Sequence, residues 1–297
     1  MADTSTVVIS HDRLASALQR ARDYLLERQS PGGGFCFYRG YYLEEPNLAD
    51  TWHGVAALTG LLGVELAQPK QHADFVIGQA VESQPLALYY RVRALLALHT
   101  TDPAAAKVTR TVATLQLELP DPARLYLLGS ALRRLHYVLW LKKHFGMDNA
   151  AEDVADRVLA LANEDGGYGA PSNLLDTADA IAVLSLCGVT APAITGQFVT
   201  AMADPQFGFR LVARFPSSSL EIVHAGSASC HRLNLVIPYA AAATDFVLSC
   251  QSGSGGFARA SGALPDMTLT YTALTTLLRY LQEQSTPAAI PSCNGTE

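Results

Sequence analysis

Apolar residues recur along this chain at the three-and-four spacing of a helix face, and glycine-rich turns interrupt them. Val55–Leu62, Leu86–His99, Arg124–Phe145, Ile181–Cys187, Ala225–Leu233 and Tyr271–Leu278 carry that spacing, which predicts helices with one buried stripe. Between them a turn repeats. It reads Gln29-Ser-Pro-Gly-Gly-Gly-Phe35, then Asn163-Glu-Asp-Gly-Gly-Tyr168, then Gln251-Ser-Gly-Ser-Gly-Gly-Phe257, with Ala203-Asp-Pro-Gln-Phe-Gly-Phe209 as a weaker copy. The unit is helix, Gly-Gly-aromatic turn, loop, helix. Paired glycines supply the positive φ needed to leave a helix sharply. Asp50-Thr51 and Asp176-Thr177 stand where a helix begins, so each Asp is expected to cap its helix. Six units of about 45 residues use up nearly the whole chain. They predict an all-α fold, an (α/α)6 toroid of six helical hairpins around a central apolar cavity. Residues 1–297 then form one toroidal domain, with about 10–283 as ordered core and 284–297 as a flexible tail.

Composition agrees with a large core. Apolar residues make up 49% and charged residues 16% of 297, the reverse of a disordered chain. A net charge of −6 with no basic run longer than two residues argues against nucleic acid as a partner. Five cysteines without framework spacing read as reduced thiols, hence a cytoplasmic setting. Neither a signal peptide at Met1–Ser10 nor a transmembrane segment is expected.

The turn and the capped helix after it resemble the repeats of protein prenyltransferase β-subunits and the QW repeats of squalene–hopene cyclases. Gln29–Phe35 and Phe246–Phe257 carry the likeness best. The resemblance implies the terpenoid-cyclase and prenyltransferase toroid, with an aromatic-lined cavity for isoprenoid chains. It also implies two chemistries that this sequence lacks in their usual form. The prenyltransferase zinc site needs an Asp-x-Cys pair and a later His, but Leu269 stands at the His position. Class II cyclases protonate their substrate from the middle of an Asp-x-Asp-Asp-Thr-Ala run. Here the stretch is Asn173-Leu-Leu-Asp176-Thr-Ala178, with Leu175 at the donating position.

Aligned on their apolar stripes, the helices put Asp50, Arg133, Asp176, Glu221 and Asp266 at one position, and His53, His136, Asp179, His224 and Leu269 three later. Tyr90 is the counterpart in the second repeat. Residues at i and i+3 share a face, so these side chains are expected to meet at one rim of the cavity. A helix N-terminus disfavours imidazolium. Neutral histidines there suit proton acceptance or metal ligation. The candidate catalytic residues are therefore Asp179, His53, His224 and His136. Trp52, Tyr90, Arg91, Arg133, Trp140 and Tyr271 are candidate substrate contacts, with Tyr41 and Tyr42 as further aromatics. The alternative makes the acids caps and first-turn residues, and the histidines ordinary polar residues of a wet rim.

The expected function is that of a biosynthetic enzyme taking an apolar, isoprenoid-like small molecule through acid-initiated cyclisation or isomerisation. Two rivals stand beside it. In one, a divalent metal held by His136, Asp179 and His224 does the chemistry. In the other, the toroid is not catalytic, but carries a prenyl or lipid ligand or pairs with a protein partner subunit.

Overall fold

A computed structural model describes residues 11–40, 43–118, 127–147, 151–215 and 217–285. Tyr41, Tyr42 and nearly all of the expected tail lie outside the described residues. Among the described residues six outer helices alternate with six inner ones. The outer set is α1 (His11–Glu27), α3 (Pro69–Gly78), α5 (Ala105–Thr114), α7 (Ala151–Leu159), α9 (Ala193–Ala201) and α11 (Ala240–Ser249). The inner set is α2 (Leu48–Val55), α4 (Pro85–Ala97), α6 (Leu128–His144), α8 (Leu174–Leu186), α10 (Leu220–Arg232) and α12 (Met267–Ser285). Each inner helix packs on the next, and α12 returns to α2, which closes the ring. Outer α3, α5, α7, α9 and α11 each pack on the inner helix that follows, while α1 packs on α12 across the seam. Pro69 and Pro85 open α3 and α4, where a missing N–H costs nothing.

The repeated turn explains the closure. Gly33, Gly166 and Gly255 have φ of +92°, +81° and +94°. A β-carbon at these positions would overlap a backbone carbonyl of the next outer helix: Gln71 in α3, Ile194 in α9 and Arg20 in α1. Glycine thus serves both the backbone angle and the close approach. The last turn presses on the first helix, so the sixth unit meets the first as any unit meets its neighbour. Gln251 strengthens that seam by donating to the carbonyl of Ala17 at 2.8 Å. The turn aromatics Phe35, Tyr168, Phe209 and Phe257 are all fully buried, a contribution of about 1.5–3 kcal/mol for such a side chain. Behind three of them a threonine accepts the aromatic's N–H: Phe35 to Thr51 at 3.1 Å, Tyr168 to Thr177 at 3.0 Å and Phe257 to Thr270 at 3.0 Å.

The caps differ from the expectation. Asn47 and Asn173, not Asp50 and Asp176, cap α2 and α8. Each Asn accepts from the N–H of the Asp three residues on and donates back to its carboxylate at 2.7 Å. Cap and third-residue acid hold each other, as in a capping box. Ser219 caps α10, and Asp266 accepts from the N–H of Leu269 at the start of α12.

Two features went unforeseen. The loop after the first turn is a β-hairpin, β1 (Phe35–Gly40) with β2 (Leu43–Asn47), and a second short pair, β3 (Ala203–Asp204) with β4 (Gly208–Phe209), follows α9. Inner helix α2 also continues as a π-helical segment over Ala56–Leu61.

Candidate functional site

Counting from the caps gives the true register of the inner helices. His53, Tyr90 and Asp179 are each the sixth residue of α2, α4 and α8. His224 is the fifth residue of α10, level with Trp52 and Tyr271. The four acids and Arg133 are therefore not one ring: Asp50 and Asp176 are third residues, Glu221 a second, Arg133 a sixth and Asp266 a cap. One residue along a helix rotates a side chain by about 100°. The apolar stripes are broad, and alignment on them missed that offset.

An aromatic arc runs along the inner wall of α12, α2, α4 and α6. Trp52 contacts Tyr271 at 4.9 Å between ring centroids, Tyr90 at 5.5 Å and Tyr89 at 6.3 Å. His53 lies 5.4 Å from both Tyr90 and Tyr271. Tyr89 extends the arc to Tyr137 at 4.7 Å and Trp140 at 5.1 Å. Trp140 in turn stacks on His144 at 5.3 Å. Tyr90, Tyr137 and Tyr271 are half-buried although they sit on the inner layer.

Asp179 stands on α8, beyond the end of this arc. Arg133 lies 3.5 Å from its carboxylate and is itself largely exposed. Burial pushes the Asp179 carboxyl up to about 7, with Asp176 adding to the rise and Arg133 and Arg232 opposing it. Desolvation outweighs the arginines because an exposed guanidinium is screened by water. The histidines move the other way. Burial lowers His53 and His136 to about 4 and His224 to about 3, with nearby arginines adding to each. All three are neutral, as expected, but burial and arginine fields do the work assigned to the helix N-terminus. His224 Nδ1 lies 2.9 Å from Thr276 Oγ1, and His53 Nδ1 lies 3.4 Å from Thr268 Oγ1.

Two expectations need correction. Arg91 does not face the hollow. It is 1% exposed, grips Asp102 through Nε at 2.6 Å and Nη2 at 3.0 Å, and donates to the carbonyls of Val76 and Gln79 at 2.9 Å each. It ties α4 to the end of α3 and to the loop before α5. Nor do His136, Asp179 and His224 form a metal site: among the described residues no three His, Cys, Asp or Glu side chains converge to hold an ion. The one-residue offset of His224 turns it from Asp179 toward Thr276. Leu269, 8% exposed, packs into the core.

The sequence reading passed over Arg232 and Arg279. Arg232 ends α10, eight residues after His224, and Arg279 stands eight residues after Tyr271. A step of seven or eight residues returns to the same helix face, so the signal was present. Arg279 lowers the pKa of Arg232, Asp179 raises it, and burial exceeds both. The wall is thus aromatic at one side and cationic below His224.

No helix among the described residues is long and apolar enough to cross a membrane. Comparison with curated protein sequences finds no match. Among solved structures, protein geranylgeranyltransferase-I of Candida albicans, in complex with GGPP, is similar with a TM-score of 0.63 at 14% identity, over 90% of this chain and 92% of that one. A protein from Actinoplanes is similar with a TM-score of 0.52 at 15% identity, over 92% and 99%. Such identities speak for the fold alone. The family model of the prenyltransferase alpha-alpha toroid domain matches residues 77–290. With the closed double ring of helices, that match over most of its length makes this chain a member of the prenyltransferase α-α toroid family.

Proposed function

We propose that the protein is a biosynthetic enzyme that cyclises or isomerises an isoprenoid by protonating it, with Asp179 as the acid. The observation that carries this reading is Asp179 itself, a carboxyl whose pKa burial raises to about 7, at the end of an aromatic wall. A protonated carboxyl is available near neutrality, which an acid-initiated step requires. In that step the Asp179 proton adds to an alkene carbon and leaves a carbocation on the neighbouring carbon. The faces of Tyr90, Tyr137 and Tyr271 attract the cation, and ring closure consumes a second alkene. A neutral imidazole, from His53, His136 or His224, then takes a proton from the adjacent carbon and restores the alkene. Imidazoles with pKa values of about 3 to 4 are weak bases, yet strong enough toward so acidic a cation. The structural likeness to a toroid holding GGPP supports an isoprenoid as substrate, and the unpaired spacing of five cysteines supports the cytoplasm as its setting.

The test is incubation of the purified protein in D2O with linear isoprenoids of increasing length, followed by mass spectrometry of the products. One deuterium incorporated per turnover, lost at least about 100-fold in Asp179→Asn, is the expected result. Product formation that survives Asp179→Asn overturns the reading. Ligand binding without any product would make the protein a prenyl carrier or a partner of another subunit.

A further inference from the structure

Outer helix α9 carries no charged residue. Outer α1, α3, α5 and α7 each carry at least two, and α11 carries Asp245. The chain around α9 is as bare. No Asp, Glu, Lys, Arg or His falls between Asp179 and Asp204, or between Arg232 and Asp245. A helix on the outside of a water-soluble fold normally turns charged side chains outward, and α9 does not.

Two open cavities flank this helix. One, of about 560 Å³, is lined by Phe198, Met202, Val212 and Phe215. The other, of about 860 Å³, is lined by Ala193, Gly196, Thr200, Leu233 and Leu235. Gln197 and Ala201 line both, so the cavities form one trough across α9. Apolar side chains stand out at its edges: Phe215 is 67% exposed, and Val236, next to Leu235, is 89% exposed. A contiguous apolar surface of this kind marks an interaction face.

The trough matches a second copy of itself. Gln197 is the fifth of the nine residues of α9, is exposed and makes no hydrogen bond among the described residues. A primary amide both donates and accepts, so two Gln197 side chains facing each other across a twofold axis satisfy one another. With the axis there, the two α9 helices run antiparallel, and Ala193 lies opposite Ala201 of the second copy. Two charges line the trough, Asp165 and Arg214, and no ion pair holds either among the described residues. They stand toward opposite ends of α9. Asp165 precedes Gly166, which packs on the carbonyl of Ile194 at the start of the helix. Arg214 follows Arg210, whose N–H donates to the carbonyl of Met202 at the helix end, at 3.0 Å. An antiparallel pair therefore sets each Asp165 toward Arg214 of the other copy, which is charge complementarity. Each molecule has a net charge of −6, and the uncharged sector lets two of them approach with little repulsion.

We infer that α9 is a self-association face: two copies of this chain pair through antiparallel α9 helices, with Gln197 at the twofold axis and Asp165 opposite Arg214 on either side. Since α9 belongs to the outer layer, pairing there covers the wall of the ring and leaves the hollow free. The dimer forms whatever chemistry the hollow performs.

Sedimentation velocity of the wild-type chain over about 1–100 μM is expected to show a dimer whose share grows with concentration. Gln197→Glu and Gln197→Lys each place like charges at the axis, and each alone is expected to stay monomeric across that range. Mixed in equal amounts, the two are expected to form a mixed dimer, because only then do opposite charges meet. Arg214→Glu sets a carboxylate against each Asp165 and is expected to weaken pairing at least about tenfold. Gln197 and Arg214 are both exposed, so an unchanged melting temperature certifies the fold of each variant. A wild-type monomer at the top of the range overturns the inference. So does a dimer that survives both Gln197 variants, a mixture that stays monomeric, or pairing that Arg214→Glu leaves unchanged. A monomer that floats with phosphatidylcholine vesicles, or that copurifies with a different chain, puts another occupant on this face, with the same consequence.

Discussion

The ring of Phe35 lies where a β-carbon on Gly54 would stand. The turn aromatic of the first repeat thereby meets the inner helix at backbone distance, and Phe209 rests on Gly226 in the same way. Both glycines are the seventh residue of their helices. Gly54→Ala forces a fully buried ring to shift in a packed core, so it is expected to destabilise the protein by about 1–3 kcal/mol despite alanine's better helix propensity. Urea unfolding checks this. A neutral or stabilising effect would mean that the ring has room to move.

Arg91 and Asp102 make the second prediction. Their two-pronged pair is buried, and Arg91 also satisfies two carbonyls at the end of α3. Arg91→Met leaves Asp102 without its cation and those carbonyls without a donor. The expected loss is about 3–5 kcal/mol. Removing both charges in Arg91→Met with Asp102→Asn should recover part of it, which a double-mutant cycle measures. Substrate affinity of any folded Arg91 variant should be unchanged, since this side chain points away from the hollow.

The third prediction concerns activity and pH. The acid must be protonated, and burial raises Asp179 to about 7. The rate is therefore expected to be flat below pH 7 and to fall about tenfold per unit above it. Arg133 opposes the rise, so Arg133→Gln should move the alkaline limb to higher pH. An initial-rate profile of both proteins tests the shift. A limb that stays in place, or moves down, would remove Asp179 from the acid role.

Stability and pH give the fourth. Burial lowers His53 to about 4 from its usual 6.5, so the unfolded chain binds a proton that the folded one refuses. Its contribution to stability is present above about pH 6.5 and is lost as the pH falls toward 4. His53→Phe keeps a ring against Trp52, Tyr90 and Tyr271 but removes the titration. Between pH 7 and pH 5 wild type should lose more melting temperature than His53→Phe. Equal losses would show that His53 already titrates normally in the fold.

Much of the architecture was readable because it is local chemistry repeated. Gly33, Gly166 and Gly255 announce a positive φ, the aromatics after them announce burial, and the apolar stripes announce helices. The site was readable in part. His53, Tyr90 and Asp179 were given one position along their helices by their spacing, and each is the sixth residue of its helix, but only His53 and Tyr90 touch. His224 was misplaced by one residue and Arg91 by a whole face, because a stripe of apolar residues leaves a helix rotation uncertain by about one position. That angle decides whether a side chain meets the axis, a neighbour or the outer layer.

The sequence by itself determined the repeating unit and the number of hairpins, since each depends on residue identity within a short span. Only the tertiary structure decided which charged groups stand beside Asp179 and why the histidines are neutral. Those facts depend on burial and on fields between residues far apart in the chain, which exist only once α12 has met α2.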